Sequence, residues 1–319
     1  VAGRLVMAFV MDAIESVDIA ADTTFALMLE AQRRGHELLY MQLHDIGVRG
    51  GQAVARAAPI SLRREPGRHF TLGQPRLLAL DEAVDFVFQR KDPPVNAAYA
   101  AATQILSLCR RALVWNNPHS LLSANEKLYA LHFADLMPAT LVSRDMAALL
   151  DFLEEQGGQM VVKPLDGKGG EGIFHLRPGD PNLRSILEQS TAFGARWAMA
   201  QAYLPEVRRG DKRILLLEGE PLGALLRIPA AGESRANLHV GGRAVRAGLD
   251  SADRRIIERI APRLRRDGLF FVGIDVIGGR LTEINVTSPT GLQEMNALDG
   301  ARYEERIFER IEALLAQRG

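Results

Sequence analysis

The chain has 319 residues, 47% apolar and 24% charged, so a sizeable core is available and disorder is excluded as its main theme. Thirty-nine basic residues balance thirty-nine acidic ones, without the basic excess that serves nucleic acid or an anionic membrane. At about 150 residues per domain this length suggests two or three domains, and no apolar run approaches the ~20 residues that span a bilayer.

Leu5–Met11 is apolar and follows Arg4, like the start of a signal peptide. The run is too short, and Asp12 sits where a cleavage region would begin, so Leu5–Val10 reads as a buried first strand. The first residue is Val1, so an initiator methionine is expected to have been lost or replaced. Asp22 can cap a helix through Phe25, Met28 and Leu29, with Gly35 as its stop. Leu38–Gln42 and Val84–Phe88 read as further strands, and the Arg-, Gly- and Pro-rich stretch 47–74 between them as irregular surface. Asn96–Cys109 is helical in pattern, and Leu113–Trp115 is a strand. This alternation predicts a parallel sheet with helices on both faces. Its first strand-to-helix turn, Met11–Asp22, contains no glycine, so a dinucleotide fingerprint is absent there. A helix is expected near Asn125–Ala134. From Met160 onward, paired strands separated by glycines predict antiparallel α+β structure.

Three constellations carry chemistry. The run Val161–Phe174 places Lys163 before the loop Gly167-Lys168-Gly169-Gly170-Glu171-Gly172. It is neither a Rossmann turn nor a Walker A loop, because a strand-like run follows and no Gly-Lys-Ser/Thr occurs at the required spacing. Glycines let backbone N–H groups close over phosphate oxygens, and Lys163 can add a point charge. The plain alternative is a mobile hairpin tip. In the second constellation, Phe271–Ile277, Gly278-Gly279 and Arg280–Val286 read as a hairpin. Glu283 and Asn285 share a strand face, and Asp275 lies in the most apolar strand of the chain. Hard oxygen donors of this kind suit Mg²⁺ better than an ordinary solvated acidic face would. A two-residue turn in strict register would put Asp275 and Glu283 on opposite faces. One shared metal site therefore requires an odd-length connection, such as Gly278-Gly279-Arg280, or a bulge. The third is Ile228–Arg243, a loop of about 15 residues, long enough to be a lid or a disordered segment. Arg235 and Arg243 within it could close on anions.

Other chemistries lack support. The seven histidines show no His-Glu-x-x-His spacing, and no Gly-x-Ser-x-Gly elbow occurs. Cys109 is the only cysteine. It excludes an intramolecular disulfide and a cysteine-built metal site, fits a reducing cytosol, and reads as a structural thiol.

Lys127, Lys163, the loop Gly167–Gly172, Asp275, Glu283 and Asn285 follow the order of ATP-grasp ligases. Longer blocks resemble the prokaryotic glutathione synthetase family. They are Met11-Asp12, Leu29–Gly35, Arg90-Lys91-Asp92-Pro93-Pro94, Asn125-Glu126-Lys127-Leu128, Lys163–Gly167, Gly210–Arg213 and Leu281–Thr290. Ala13 and Lys168 stand where the resemblance leads one to expect proline and methionine. Ala236, His239 and Val240 are likewise larger than expected in the lid.

The resemblance implies an ATP-grasp fold. An N-terminal α/β substrate domain (1–122) would precede a central lobe with the glycine loop (123–199). A C-terminal lobe with lid and metal site (200–319) would complete it, the two antiparallel α+β lobes enclosing ATP. It implies that γ-glutamylcysteine is joined to glycine with ATP and Mg²⁺, or Mn²⁺, in a cytoplasmic homo-tetramer. Lys127, Lys163, Gly167, Gly169 and Gly170 would hold the phosphates, and Gln201, Tyr203 and Leu204 the adenine. Asp275, Glu283 and Asn285 would hold the metal, and Arg213 and Arg227 would face the acyl phosphate. Ser288 and Thr290 would bind the peptide, with Arg235 and Arg243 closing over it. The competing readings are another ATP-grasp carboxylate–amine ligase and a nucleotide-binding regulator without turnover.

Overall fold

A computed structural model describes residues 3–230, 236 and 241–318, arranged around three sheets. In the first, β1 (Val6–Val10) and β2 (Glu37–Met41) run parallel, joined by α1 (Thr23–Arg33). Asp22 caps α1 by accepting the Phe25 N–H at 2.6 Å. Gly35, at φ +83°, turns the chain out of the helix in a conformation that costs glycine little.

The stretch 47–74 is not the irregular surface expected from sequence. It contributes to three strands, β3 (Ile46–Arg49), β4 (Gln52–Leu62) and β5 (Phe70–Leu72), and β6 (Arg76–Ala79) follows it. β4 pairs antiparallel with β2 and also carries β3, β5 and β6. Ala53, Ala55 and Ala57 are buried along its first half, and Ala58, Ile60 and Leu62 along its second. Alanine has low strand propensity, so this alternation leaves a faint signature beside the arginines and Pro59.

After α2 (Leu80–Ala83), the strands β7 (Phe86–Gln89) and β8 (Leu113–Trp115) extend the parallel set through α3 (Ala97–Leu106). Both faces are buried. Met7 and Phe9 join a core with Phe25 and Phe308, while Ala8 and Val10 join one with Leu80 and Leu106. A short helix, α4 (Pro118–Ser123), leads to a 3₁₀ segment, Tyr129–Leu136. The helix expected near 125–134 is thus a 3₁₀ segment set later in the chain and kinked at Phe133 (φ −129°, ψ 43°), and it buries Tyr129, Ala130, Phe133 and Leu136.

The central sheet contains β9 (Thr140–Ser143), β10 (Met160–Pro164), β11 (Phe174–Leu176) and β12 (Ala198–Ala202), antiparallel in the order β11-β10-β12-β9. The helices α5 (Met146–Glu155) and α6 (Leu183–Ser190) cover one face through Leu149, Phe152 and Leu187.

The third sheet is antiparallel too. It holds β13 (Asp211–Leu217), β14 (Glu220–Ile228), β15 (Arg243–Arg246), β16 (Phe271–Ile277) and β17 (Arg280–Asn285), in the order β15-β14-β13-β16-β17. α7 (Ser251–Arg266) lays Ile256, Ile260 and Leu264 on one face. On the other, Leu215, Leu217 and Leu225 merge with the core of the first sheet, together with α8 (Leu292–Asp299) and α9 (Tyr303–Arg318). Trp115 stacks on Phe270 at 5.0 Å across this junction. Among the described residues, no helix is long and apolar enough to cross a membrane.

Candidate active site

The β16–β17 hairpin sets the geometry. Gly278 and Gly279, at φ +56° and +75°, form a two-residue turn, with Ile277 opposite Arg280 and Val276 opposite Leu281. The three-residue connection is thus corrected to a tight turn. A bulge beside Asp275 then absorbs Thr282, and Asp275 comes to face Glu283. The Thr282 hydroxyl fastens the bulge by donating to the Asp275 carbonyl at 3.1 Å. The two carboxylates share a face through this bulge, which is the second of the two routes the sequence allows.

Strand register brings Arg213 of β13 opposite Asp275. Arg213 Nε donates to Asp275 Oδ1 at 2.6 Å and Arg213 Nη2 to Oδ2 at 3.1 Å, a bidentate fork. Arg227 Nη2 reaches the same Oδ1 at 2.9 Å and also pairs with Asp211, its cross-strand neighbour. Burial opposes the Asp275 charge, but the two guanidinium groups hold its carboxyl well below the usual range. Burial pushes Asp211 up to about 6, against the pull of Arg227. Arg213 Nη1 donates to the Thr290 carbonyl at 3.1 Å, which ties the segment after β17 to the same cluster.

Two buried lysines approach from other elements. Lys127 Nζ bridges Glu283 Oε1 at 2.9 Å and the Gly167 carbonyl at 2.8 Å. Burial opposes its charge, and Glu283 more than restores it, leaving its pKa above the ordinary lysine value. Lys163, on β10, contacts the Thr282 carbonyl at 3.4 Å. Burial pulls its pKa down, with Glu283 only partly offsetting. The glycine loop follows. A Cβ on Gly167 would lie 2.7 Å from Pro164 Cγ and 3.0 Å from the Glu171 carbonyl, so the tight path of the loop requires glycine there. Gly169 and Gly170 take φ +60° and +89°.

The remaining predicted residues are spread around this centre. Gln201 is buried on β12 and donates to Thr140 Oγ1 at 3.1 Å. Tyr203 stacks face to face on His175 at 3.7 Å, and Leu204 follows in the loop. Ser288 is buried and donates to Asp92 Oδ1 at 2.6 Å. Arg243 begins the edge strand β15, exposed and three strands from Asp275, so it is not brought into the cluster. Arg235 lies outside the described residues, as do the other lid positions 231–234 and 237–240.

Asp275, Glu283 and Asn285 offer two carboxylates and an amide, a hard donor set. Among the described residues, no group of three or more His, Cys, Asp or Glu is placed to hold a metal ion, and the third donor of this set is the Asn285 amide. Asn285 Nδ2 now donates to Asp275 Oδ2 at 3.3 Å. The same Nδ2 donates to the Gly273 carbonyl at 3.3 Å, so turning the amide over would put its oxygen toward Asp275 in place of that N–H. By donor chemistry the three residues suit a divalent cation, with both Asp275 oxygens also held by Arg213.

A model of the prokaryotic glutathione synthetase N-terminal domain matches residues 5–121, and one of the prokaryotic glutathione synthetase ATP-grasp domain matches residues 126–300. The chain belongs to the prokaryotic glutathione synthetase family. It is 48% identical to glutathione synthetase of Xanthomonas axonopodis pv. citri, covering 97% of this chain and 98% of that one. It is 47% identical to glutathione synthetase of Gloeobacter violaceus, covering 94% of each. Among solved structures, D-cycloserine synthetase DcsG matches at a TM-score of 0.65 and 18% identity over 96% of this chain and 99% of that one. D-alanine–D-alanine ligase of Bacillus anthracis, complexed with ATP, matches at 0.59 and 15% over 99% and 100%. Both share the ATP-grasp fold.

Three residues of the site carried no role in the sequence reading. Arg90 is buried, donates to the Thr24 hydroxyl at 3.1 Å and the Pro289 carbonyl at 2.9 Å, and lies over the Phe271 ring. Burial pulls its pKa down to about 10. Asp92 joins Ser288 to Lys168. Glu126 Oε1 accepts from the Val286 and Thr287 N–H groups and from the Thr287 hydroxyl, holding the exit of β17. The signal for Arg90 and Asp92 was their position just beyond the carboxyl end of a parallel strand, where open α/β sheets place their ligands.

Proposed function

We propose that this chain forms glutathione by joining γ-glutamylcysteine to glycine, with ATP converted to ADP and phosphate. The peptide carboxylate attacks the γ-phosphorus, and the bond to the β-phosphate oxygen breaks. The resulting acyl phosphate is attacked by the glycine amine, phosphate leaves, and the amine proton is lost. A carboxylate is a poor electrophile, and this sequence activates it without a protein nucleophile. Catalysis then rests on positioning and on preorganised charge. The observation that carries the reading is the clustering of Lys127, Lys163, Arg213 and Arg227 around Asp275 and Glu283, in a chain of this family.

In this reading Lys127 and Lys163 neutralise the ATP phosphates, under the backbone of Gly167, Gly169 and Gly170. Lys163 is the better placed to gain, because it is buried with only a carbonyl contact at 3.4 Å. Gln201, Tyr203 and Leu204 meet adenine. Because the Tyr203 ring is stacked on His175, the backbone of Tyr203 and Leu204 is what remains for the purine edge. Arg213 and Arg227 stabilise the acyl phosphate, while Ser288 and Thr290 bind the peptide. Arg235 and Arg243 are the lid cations. Asp275, Glu283 and Asn285 would hold Mg²⁺ or Mn²⁺, which when bound spreads phosphoryl negative charge. We also assign the units 1–122, 123–199 and 200–319, with β12 running across the second boundary. The compartment we propose is the cytoplasm, and the assembly a homo-tetramer.

The test is ADP production from ATP with γ-glutamylcysteine, with and without glycine. Sustained turnover should need both. Rapid ADP release without an amine, or equal turnover of unrelated acids, would overturn the substrate assignment.

A further inference from the structure

The glycine loop is fastened at three nearby places. Asn125 Nδ2 donates to the Leu165 carbonyl at 3.0 Å, and Lys127 Nζ to the Gly167 carbonyl at 2.8 Å. Both hold the loop by its backbone, from the segment just before the 3₁₀ turn. The third fastening uses a side chain of the loop and comes from elsewhere. Lys168 Nζ meets Asp92 Oδ2 at 2.9 Å, and Asp92 stands just past β7 in the first sheet's unit.

Asp92 is itself held for this contact. Its Oδ1 accepts from Ser288 Oγ at 2.6 Å, and its N–H donates to Asp12 Oδ2 at 3.1 Å. Lys91 Nζ holds the other oxygen of Asp12 at 2.8 Å. One carboxylate therefore meets the loop through one oxygen and the segment after β17 through the other. We propose that Lys168 is a positioning residue that clasps the glycine loop to the N-terminal unit through Asp92. The loop's backbone donors are thereby kept over the phosphate site before ATP arrives. The Lys168 and Asp92 side chains are 44% and 41% exposed. An exposed pair is weak and screened by salt, so the clasp opens readily, as a cover that admits ATP must.

This inference rests on the ATP-binding reading for its consequence but not for its first test. The full chain, Lys168→Met, Asp92→Asn, the double variant and Lys168→Arg are compared by amide hydrogen exchange over residues 165–172, without substrates and at low salt. Lys168→Met and Asp92→Asn should each speed exchange about three- to fivefold, the scale of an exposed ion pair. The double variant should be no faster than either single one, and Lys168→Arg should match wild type. About 0.5 M salt should bring wild type to the same rate. The second readout is KM for ATP, which should rise by a similar factor in both single variants, with kcat for Lys168→Met within about twofold. Unchanged loop exchange in Lys168→Met and Asp92→Asn overturns the clasp whatever the chain ligates. A lower KM for ATP in Asp92→Asn, set against a higher one in Lys168→Met, also overturns it. That pair of results would mean Lys168 acts on the phosphates directly and Asp92 merely holds it back.

Discussion

The β13–β16–β17 face of the site and the glycine loop beside it handle charge in different ways. On the sheet, Arg213, Arg227, Asp211 and Asp275 are buried and interlocked, each placed by cross-strand register. On the loop, the backbone takes left-handed turns at glycine, and its charged side chains are solvent-accessible, Lys168 half exposed and Glu171 exposed. The difference separates two tasks of the proposed reaction. Charge that must stay fixed while phosphoryl groups move is built into strands, where it costs no reorganisation. Cover that must open for ATP and close against water is built from a loop with weak fastenings. Changes on the sheet should therefore alter stability and turnover steeply, and changes on the loop should mainly alter the grip on ATP.

The largest effect is expected from Asp275→Asn. The substitution keeps the shape and leaves Arg213 buried without its counter-charge. Breaking such a pair from one side costs about 3–5 kcal/mol, readable by urea denaturation. The pH dependence should change with it. The native pKa of Asp275 lies below 3.8, so its stability contribution is present above 3.8 and is lost as pH falls toward the native value. The variant should lack that part of the acid-side decline. Equal stability of the two proteins near neutral pH would show that the ion cluster is not fixed as described.

Glu283→Gln comes next and should act on turnover rather than on the fold. Glu283 is more accessible than Asp275 and pairs with Lys127. Losing one charge of the proposed metal set should lower kcat by about 10²-fold or more, by analogy with other preorganised electrostatic groups. Wild-type turnover at limiting Mg²⁺ would remove Glu283 from that set.

The two lysines separate stability from activity. Lys127 is paired with Glu283, whereas Lys163 is buried with its pKa pulled down. Lys127→Met should destabilise by about 1–3 kcal/mol, because it strips Glu283 of a partner. Lys163→Met should leave the melting temperature unchanged or raised, since burying an unpaired cation is costly. Both should lose turnover. A marked fall in melting temperature for Lys163→Met would mean that the folded protein already compensates that charge.

The same contrast explains what the sequence disclosed. The β16–β17 hairpin was legible because a carboxylate in an apolar strand is costly without partners, and because register arithmetic demanded an odd-length connection or a bulge. Its partners were harder to read. Arg213 and Arg227 reach Asp275 only through the pairing of β13 with β16 and of β13 with β14, and their roles came from family resemblance. β4 escaped notice because the buried residues of its first half are alanine, which carries little hydrophobic signal. Asp92 escaped because its partners, Ser288 and Lys168, are remote in sequence. Its place just beyond the carboxyl end of β7 was the one local signal.

The smallest effect is expected at Gly167, and it bears most directly on the comparison. Gly167 lies outside the ion cluster, and its carbonyl is what Lys127 grips. Alanine there places a Cβ 2.7 Å from Pro164 Cγ and 3.0 Å from the Glu171 carbonyl. The proline ring is stiff and the carbonyl is backbone, so the loop itself must shift to make room. Loops are the least costly parts of a fold to displace, and stability should change by less than about 1 kcal/mol. The shift moves the backbone donors of the loop relative to Lys127 and Lys163, which stay anchored. KM for ATP should therefore rise about three- to tenfold, with kcat at saturating ATP within about threefold, the pattern of lost binding rather than lost transition-state stabilisation. A large loss of stability would mean that the loop is as rigidly built as the sheet. A large fall in kcat with KM unchanged would assign the loop to the chemical step itself. Either result would erase the division of labour between strand and loop.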